Sequence, residues 1–261
     1  MDAVLRLVMT LIPNSIDLAA LGMLLLFLPL FIFFTMRAKS GKRFPLREIP
    51  AFARIKRLVS QATESGQPIH VGLGSGRIGS DSTAETAMGL TVFEYVARHA
   101  AACNQAVLGT TAEPTILAGA QGILRAAREE AGFPESYTAT DLAFYGPDAL
   151  AYAAGAMGAL QREPHLANVL VGRFGSEGLW LAEATGGQVT AQVGGTSGAE
   201  GAALMWASLD EAIIGEEVYA AGAYLHRPSH LGSLATQDVM RIVTILAILV
   251  GVVMTSLGYW R

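Results

Sequence analysis

At 261 residues, 52% of them hydrophobic, the chain has room for two membrane spans and one soluble domain of about 180 residues with its own core. Its formal charge of −4 conceals a division: residues 37–57 hold eight of the 18 basic residues, whereas residues 58–235 hold 18 acids against seven arginines, a balance of −11. An acidic body of that kind repels nucleic acid and excludes it as a partner of the domain. The single Cys103 excludes an internal disulfide and fits a reducing cytoplasm.

Taken in order, residues 1–15 begin MDAVLRLVMTLIPN, which is apolar but too short to span, and read as a short outer interfacial segment. The first transmembrane helix is expected over 16–36, where Leu18 to Met36 gives nineteen residues without a charge. At 1.5 Å per residue they reach about 28 Å, close to a bilayer's hydrocarbon thickness. Directly after it come Arg37, Lys39, Lys42, Arg43, Arg47, Arg54, Lys56 and Arg57, opposed only by Glu48. Basic flanks stay on the cytoplasmic side, so the chain should enter the membrane from outside. A cleaved signal peptide would carry its charge before the apolar core and a small-residue site after it, whereas here the charge lies on the other side and Thr35-Met36-Arg37 offers no such site. The expectation is an uncleaved anchor.

Residues 37–65 form a basic juxtamembrane segment and an amphipathic helix, with Phe52, Ile55, Val59 and Ala62 at helical spacing. The apolar face would rest on the membrane surface or on the domain, and the pattern leaves both open. The bilayer's anionic headgroups are the partner expected of Arg37–Arg57.

Residues 66–235 then repeat one pattern six times: an apolar run, a glycine, polar or acidic residues, and an Ala/Gly-rich helical stretch. The runs are IHVGLGSG (69–76), AVLGTT (106–111), LAFYGPD (142–148), VLVGRFGSE (169–177), TAQVGGTSG (190–198) and AIIGEE (212–217). Strand and helix alternating at this spacing, with strands apolar on both sides, specify βαβ units with right-handed crossovers. The fold class is therefore α/β: a doubly wound, mostly parallel sheet of about six strands, Rossmann-like, between two transmembrane helices. Ser82-Thr83-Ala84-Glu85 fits a capping box, Pro114 suits a first helical turn, and Asp148 can cap a helix running to 160. Gly132 and Gly186 stand where helices should stop.

The second span is expected over 240–260, where Ile242 to Trp260 is again nineteen uncharged residues. Arg241 precedes it, and Tyr259 and Trp260 suit the aromatic belt at the far interface. Gly251 and Thr255, four apart, could let helices approach closely. The whole describes a cytoplasmic (inner) membrane protein with two spans, its central domain in the cytoplasm and both termini outside.

In open parallel sheets, ligands bind beyond the carboxyl ends of the strands where the strand order reverses. The richest such turn is Gly72–Gly79, in which Gly74-Ser75-Gly76-Arg77-Ile78-Gly79 matches GxGxxG. Glycines let the backbone approach a phosphate, and helix-start amides point at an anion. Against dinucleotide binding, the next helix starts late, near Asp81 or Ser82, and no acid opens the second strand end convincingly. Candidate ligand-binding residues are Gly72, Gly74, Ser75, Gly76, Arg77, Thr110, Thr111, Gly195, Thr196, Ser197, Glu177, Glu216 and Glu217. Each turn also offers an acid (Asp81 or Glu85, Glu113, Asp148, Glu177, Glu200, Glu216 with Glu217). Such acids could converge on a cation or simply complement helix dipoles.

No catalytic or metal residue emerges from the remaining motifs. Walker A is absent, no GxSxG surrounds Ser75 or Ser176, and Pro228 separates His226 from His230. His70 reads as a satisfied core residue and Cys103 as a small core hydrophobe. Helices such as Ala149–Ala159 and Val218–Tyr224 carry small residues on most faces and should be buried, in their own core or against another copy.

AYAAGAMGALQREPHLAN (151–168), LAEATGG (181–187) and GEEVYAAGAYLHRPSHLGSLATQD (215–238) resemble a family of bacterial and archaeal two-span membrane proteins known only as a domain of unknown function. The resemblance runs from about Pro50 to Asp238. It implies an anchored cytoplasmic domain and carries no activity, substrate or catalytic residue. It singles out Glu216, Glu217, Arg227 and a Leu231-Gly232-Ser233-Leu234 linker.

Two functional expectations follow. The first is a membrane-anchored, non-catalytic scaffold that forms a homo-oligomer, as a ring or array, and needs no cofactor. The alternative is a membrane-tethered sensor or enzyme that takes a nucleotide or phosphate-bearing ligand at the glycine turns.

Overall fold

The computed structural model describes residues 15–40, 48–225 and 229–257. The expected interfacial helix at residues 1–14, together with Lys42, Arg43, Arg47, Arg227, Tyr259 and Trp260, lies outside them. The chain forms two units, an α/β domain from Glu48 to His226 and a unit built from the segments on either side of it.

In the flanking unit, α1 (Ser15–Lys39) and a second long helix at Ser229–Ser256 pack on one another. Both contain stretches long and apolar enough to span a membrane, Ala20–Lys39 and Leu231–Ser256, with outward side chains such as Leu25, Phe33, Ile248 and Val252 exposed. Their close approach falls at Gly232, where an added Cβ would stand 2.7 Å from the Cα of Thr35. Ala38, Ala235 and Thr236 are buried there, and the Thr236 hydroxyl donates to the Gly232 carbonyl at 2.8 Å. Gly251, the residue that the sequence pattern favoured for this contact, has open space around it instead. The stretch 231–234, read as a linker, is continuous helix.

The domain contains α2 (Pro50–Ser65), β1 (Ile69–Gly74), α3 (Thr83–Ala102), β2 (Val107–Thr111), α4 (Pro114–Glu130), β3 (Leu142–Phe144), α5 (Ala149–Leu160), β4 (Ala167–Arg173), α6 (Glu177–Thr185), β5 (Ala191–Thr196), α7 (Ala199–Ser208) and β6 (Glu211–Ile214). The six strands run in the order β3-β2-β1-β4-β5-β6, every pair parallel, so the sheet is wholly rather than mostly parallel. This is the doubly wound Rossmann-type order, and its reversal falls between β1 and β4. Right-handed crossovers put α3 and α4 on one face and α5, α6 and α7 on the other.

The first layer is built from amphipathic helices. Phe93, Val96, Ile116 and Leu124 are buried completely, and α2 joins this side by contact with α3. The apolar stripe of α2 is thereby committed to the domain: Ala51, Phe52, Ile55, Leu58, Val59 and Ala62 are all buried. The second layer contributes Tyr152, Ala156, Leu181 and Met205 to a core cluster around Leu170 and Phe174. Small residues let these helices lie close to the sheet, but α5 is not buried all round, because Leu150 and Ala154 face solvent.

Local signals fare unevenly. Asp148 caps α5 by accepting from the amides of Leu150 and Ala151, and Pro114 opens α4. The capping box at Ser82 does not form: the Ser82 hydroxyl accepts from the Arg77 amide, and Glu85 turns inward to another partner. Cys103 is exposed at the C-terminal end of α3, not a core residue. After β6 the chain runs as a 3-10 helix through Gly215–Ala220 and only one α-helical turn, Ala221–Tyr224, in place of a longer buried helix.

Candidate functional site

The carboxyl ends of β1 and β4 define the place where a fold of this order takes a ligand. β1 ends on Gly74 (φ +71) and β4 carries Gly172 (φ +149) one residue before its end, both glycines with positive φ beside a shift of register. A Cβ on Gly74 would sit 2.1 Å from the Arg173 carbonyl oxygen, and one on Gly172 would sit 2.4 Å from that of Leu73. Only glycine allows the two central strands to stay this close up to their last pair, Gly74 with Arg173.

The strands are then stitched together rather than splayed. The Ser75 amide donates to the Arg173 carbonyl at 2.9 Å, and the Ser75 hydroxyl donates to Glu177 Oε1 at 2.7 Å. On the other side, the Ala112 amide donates to the Gly74 carbonyl at 3.0 Å. Ser75, Glu177 and Gly74 thus converge, but on one another.

A second bridge spans β4 and β5. Glu85, in the first turn of α3 and only 1% exposed, accepts from the Thr196 hydroxyl at 2.6 Å and from the Ser197 amide through Oε1. Its Oε2 lies 3.6 Å from the Arg173 guanidinium, which also stands 4.0 Å from Asp81 and lies against Gly198. Glu85 Oε2 and the buried Thr86 hydroxyl have no hydrogen-bond partner. An added Cβ at Gly76 would meet that hydroxyl at 2.2 Å, so the glycine loop lies directly on it.

The loop amides that would cradle a phosphate are largely occupied. Arg77 N–H donates to Ser82 Oγ at 2.9 Å and Gly79 N–H to Thr83 Oγ1 at 2.8 Å. The Arg77 guanidinium pairs with Glu113 at 3.3 Å, across the mouth of β2. A carboxylate, Glu85, stands in the helix-start position where an anion would otherwise be welcomed.

Other candidates lie elsewhere. Gly72 is inside β1 against Leu170, and Gly195 is inside β5 against the Ile213 backbone. Thr111 closes β2 and accepts from the Glu113 amide. Glu216 and Glu217 follow the edge strand β6, away from the β1–β4 switch. Thr110 belongs to a different arrangement altogether. Tyr152 O–H donates to Thr110 Oγ1 at 3.0 Å, and Thr110 O–H donates to His70 Nε2 at 2.9 Å. His70 Nδ1–H donates to Asn168 Oδ1 at 2.6 Å, and the Asn168 amide reaches Thr185 and Gln192. Gln192 finally donates to the Ala182 carbonyl at 2.9 Å.

This chain crosses β2, β1, β4 and β5 and holds α5 and α6 to the sheet. It requires a neutral His70, and burial supplies one, pushing the pKa down to about 3 against the smaller raising effect of Asn168. Burial likewise pushes the Tyr152 phenol upward. His70 is therefore a satisfied core histidine, as expected.

Beneath it, at the amino ends of the strands, lies a cavity of about 250 Å³ lined by Gln67, Leu160, Glu163, His165 and Gln188. Among the described residues, no group of three or more His, Cys, Asp or Glu is placed to hold a metal ion.

Arg173 and Asn168 escaped the sequence reading. An arginine ending the apolar run VLVGR was the available signal for the first. For the second, it was a polar residue at the second position of each of β1, β4 and β5.

The architecture defines a class: a Rossmann-type α/β domain between two helices able to span a membrane. Within that class, the family described as a domain of unknown function, DUF6754, matches residues 13–260, and the chain belongs to it. No curated protein matches the chain, and no solved structure does.

Proposed function

We propose that the protein is a membrane-anchored, non-catalytic assembly protein whose domain associates with further copies of itself. α1 and the helix at Ser229–Ser256 serve as its anchor in the cytoplasmic membrane. The basic run after α1 favours a domain on the cytoplasmic side. One observation carries the assembly reading: α5, α6 and α7 turn Leu150, Trp180 and Trp206 outward at 70, 51 and 65% exposure. No helix of the other layer exposes a large apolar side chain. Large aromatics left in water on one face are what an interface core is made of. Confinement by two spans also reduces the entropy lost on lateral association.

The measurement is mass by light scattering of the full chain in mild detergent. The wild type should be a discrete oligomer, and the Trp180→Ser/Trp206→Ser variant should fall to a smaller species without unfolding. A wild type that is monomeric at every concentration would remove the reading.

A second reading, a small-ligand sensor, is favoured by Glu85 Oε2 and the Thr86 hydroxyl, both buried without a hydrogen-bond partner near Arg173. It expects a rise in melting temperature with a nucleotide or sugar phosphate, lost in Arg173→Gln. The occupied loop amides and the carboxylate at the helix start weigh against it.

A further inference from the structure

We infer that the outer face of α2 docks the domain onto anionic lipid headgroups, an inference that rests on the membrane reading above. The apolar stripe of α2 is spent on the domain, with Phe52 fully buried and stacked on Tyr224 at a centroid distance of 5.2 Å. No greasy face remains for insertion, so what α2 offers outward is charge. Arg54, Lys56 and Arg57 fall within four consecutive positions, and the helix carries no acid until Glu64 in its last turn.

None of the three cations has an ion-pair partner among the described residues. Burial lowers the Lys56 pKa, and no carboxylate offsets it. Arg57 is exposed at the centre of the outward arc of α2, half-buried Arg54 and Lys56 flank it on either edge, and on an otherwise acidic domain the three form a surface complementary to an anionic sheet of phosphates. The remaining net negative charge would turn the rest of the domain away from such a surface.

Covalent reach provides the second argument. Only ten residues separate the end of α1 at Lys39 from Pro50, so α2 begins no more than about 40 Å along the chain from a spanning helix. Attraction of each cation decays within about 8–10 Å at physiological salt, too short to capture a free domain. A short tether supplies an effective concentration in the millimolar range, at which three weak contacts suffice.

The test uses the full chain with Cys103→Ser and a fluorophore on Gln61→Cys, which shares the Arg54–Arg57 stripe. The protein is reconstituted in nanodiscs of phosphatidylcholine alone or with increasing phosphatidylglycerol, each containing a trace of headgroup-quencher lipid. Quenching should rise with phosphatidylglycerol and weaken with salt. The Arg54→Gln/Lys56→Gln/Arg57→Gln variant should lose about fivefold in apparent affinity for each charge removed.

Equal quenching with and without phosphatidylglycerol overturns the inference, as does an unaffected triple variant. Loss of quenching on adding inorganic phosphate at constant ionic strength also overturns it, by showing that the face takes a free anion. Failure of the membrane reading is distinguishable: the protein would not enter the discs at all, and the inference would fall with it.

Discussion

The two helical layers on either side of the sheet are held by different physics. On the α3–α4 side, Phe93, Val96, Ile116 and Leu124 bury a broad apolar stripe, and the outer surface is charged, with Arg98 set between Glu94 and Glu130. On the α5–α7 side the inner surface mixes large residues such as Tyr152, Leu181 and Met205 with alanines and a directional polar chain, and the outer surface carries two tryptophans. An amphipathic helix settles its orientation by burial alone. A helix that is apolar all round needs something else to fix it. Here the Tyr152–Thr110–His70–Asn168–Gln192 chain provides that, and the outer apolar side chains Leu150, Trp180 and Trp206 stay exposed.

The contrast is broken most severely at Asn168. Asn168→Leu keeps the number and branching of the side-chain heavy atoms, with somewhat greater bulk, and removes every polar one. Here it strands His70 Nδ1–H in the core and removes the two amide bonds that Thr185 and Gln192 accept, although those two remain bonded to each other and to backbone carbonyls, at a cost of about 3–5 kcal/mol. A fall in the melting midpoint of the detergent-solubilised chain at least as large as that of Leu124→Ala is expected; a smaller fall would mean the chain does not anchor this layer.

Acid probes the same chain more gently. His70 is held neutral in the fold, its pKa pushed down to about 3 from the ordinary 6.5, and burial lowers His165 in the same sense. Above pH 6.5 both states are neutral and the contribution is complete. As the pH falls from 6.5 toward 3 the unfolded chain takes up a proton that the folded one refuses, so stability declines. At pH 5 the loss from His70 alone is about 2 kcal/mol. The slope of melting temperature against pH between 7 and 5 should flatten in His70→Gln, whatever that variant's own stability.

The layers also explain which features were legible in the sequence. Strand positions, the parallel sheet and the double winding followed from six apolar runs ending at glycine, because βαβ spacing is a local signal with a fixed handedness. Asp148 was legible for the same reason, since its cap bonds lie within three residues. Glu85 was not: its proximity to Ser82 suggested a capping box, but its partners Thr196 and Ser197 are more than a hundred residues away. The candidate cradle was legible as a place, because Gly74, Ser75 and Gly76 do lie at the switch point. That Arg173 and Glu85 fill it depends on side chains from three separate elements, which spacing cannot encode. The fate of α2 was undecidable from its pattern, because membrane and sheet reward the same apolar stripe.

The smallest effect sharpens the comparison from the outside. Arg98 is half exposed and its pairing with Glu94 and Glu130 is screened by water, so Arg98→Ala should alter stability by no more than about 0.5 kcal/mol. On the proposed assembly reading it should also leave the particle mass unchanged, because Arg98 is already paired within its own layer. Trp206→Ser is expected to be equally mild toward stability, since more than half of that side chain already faces water, yet it should reduce the mass. Light scattering and thermal melts on the two variants, side by side, separate a surface that is merely exposed from one that is exposed in order to be covered. If Arg98→Ala dissociates the assembly while Trp206→Ser does not, the roles of the layers are reversed.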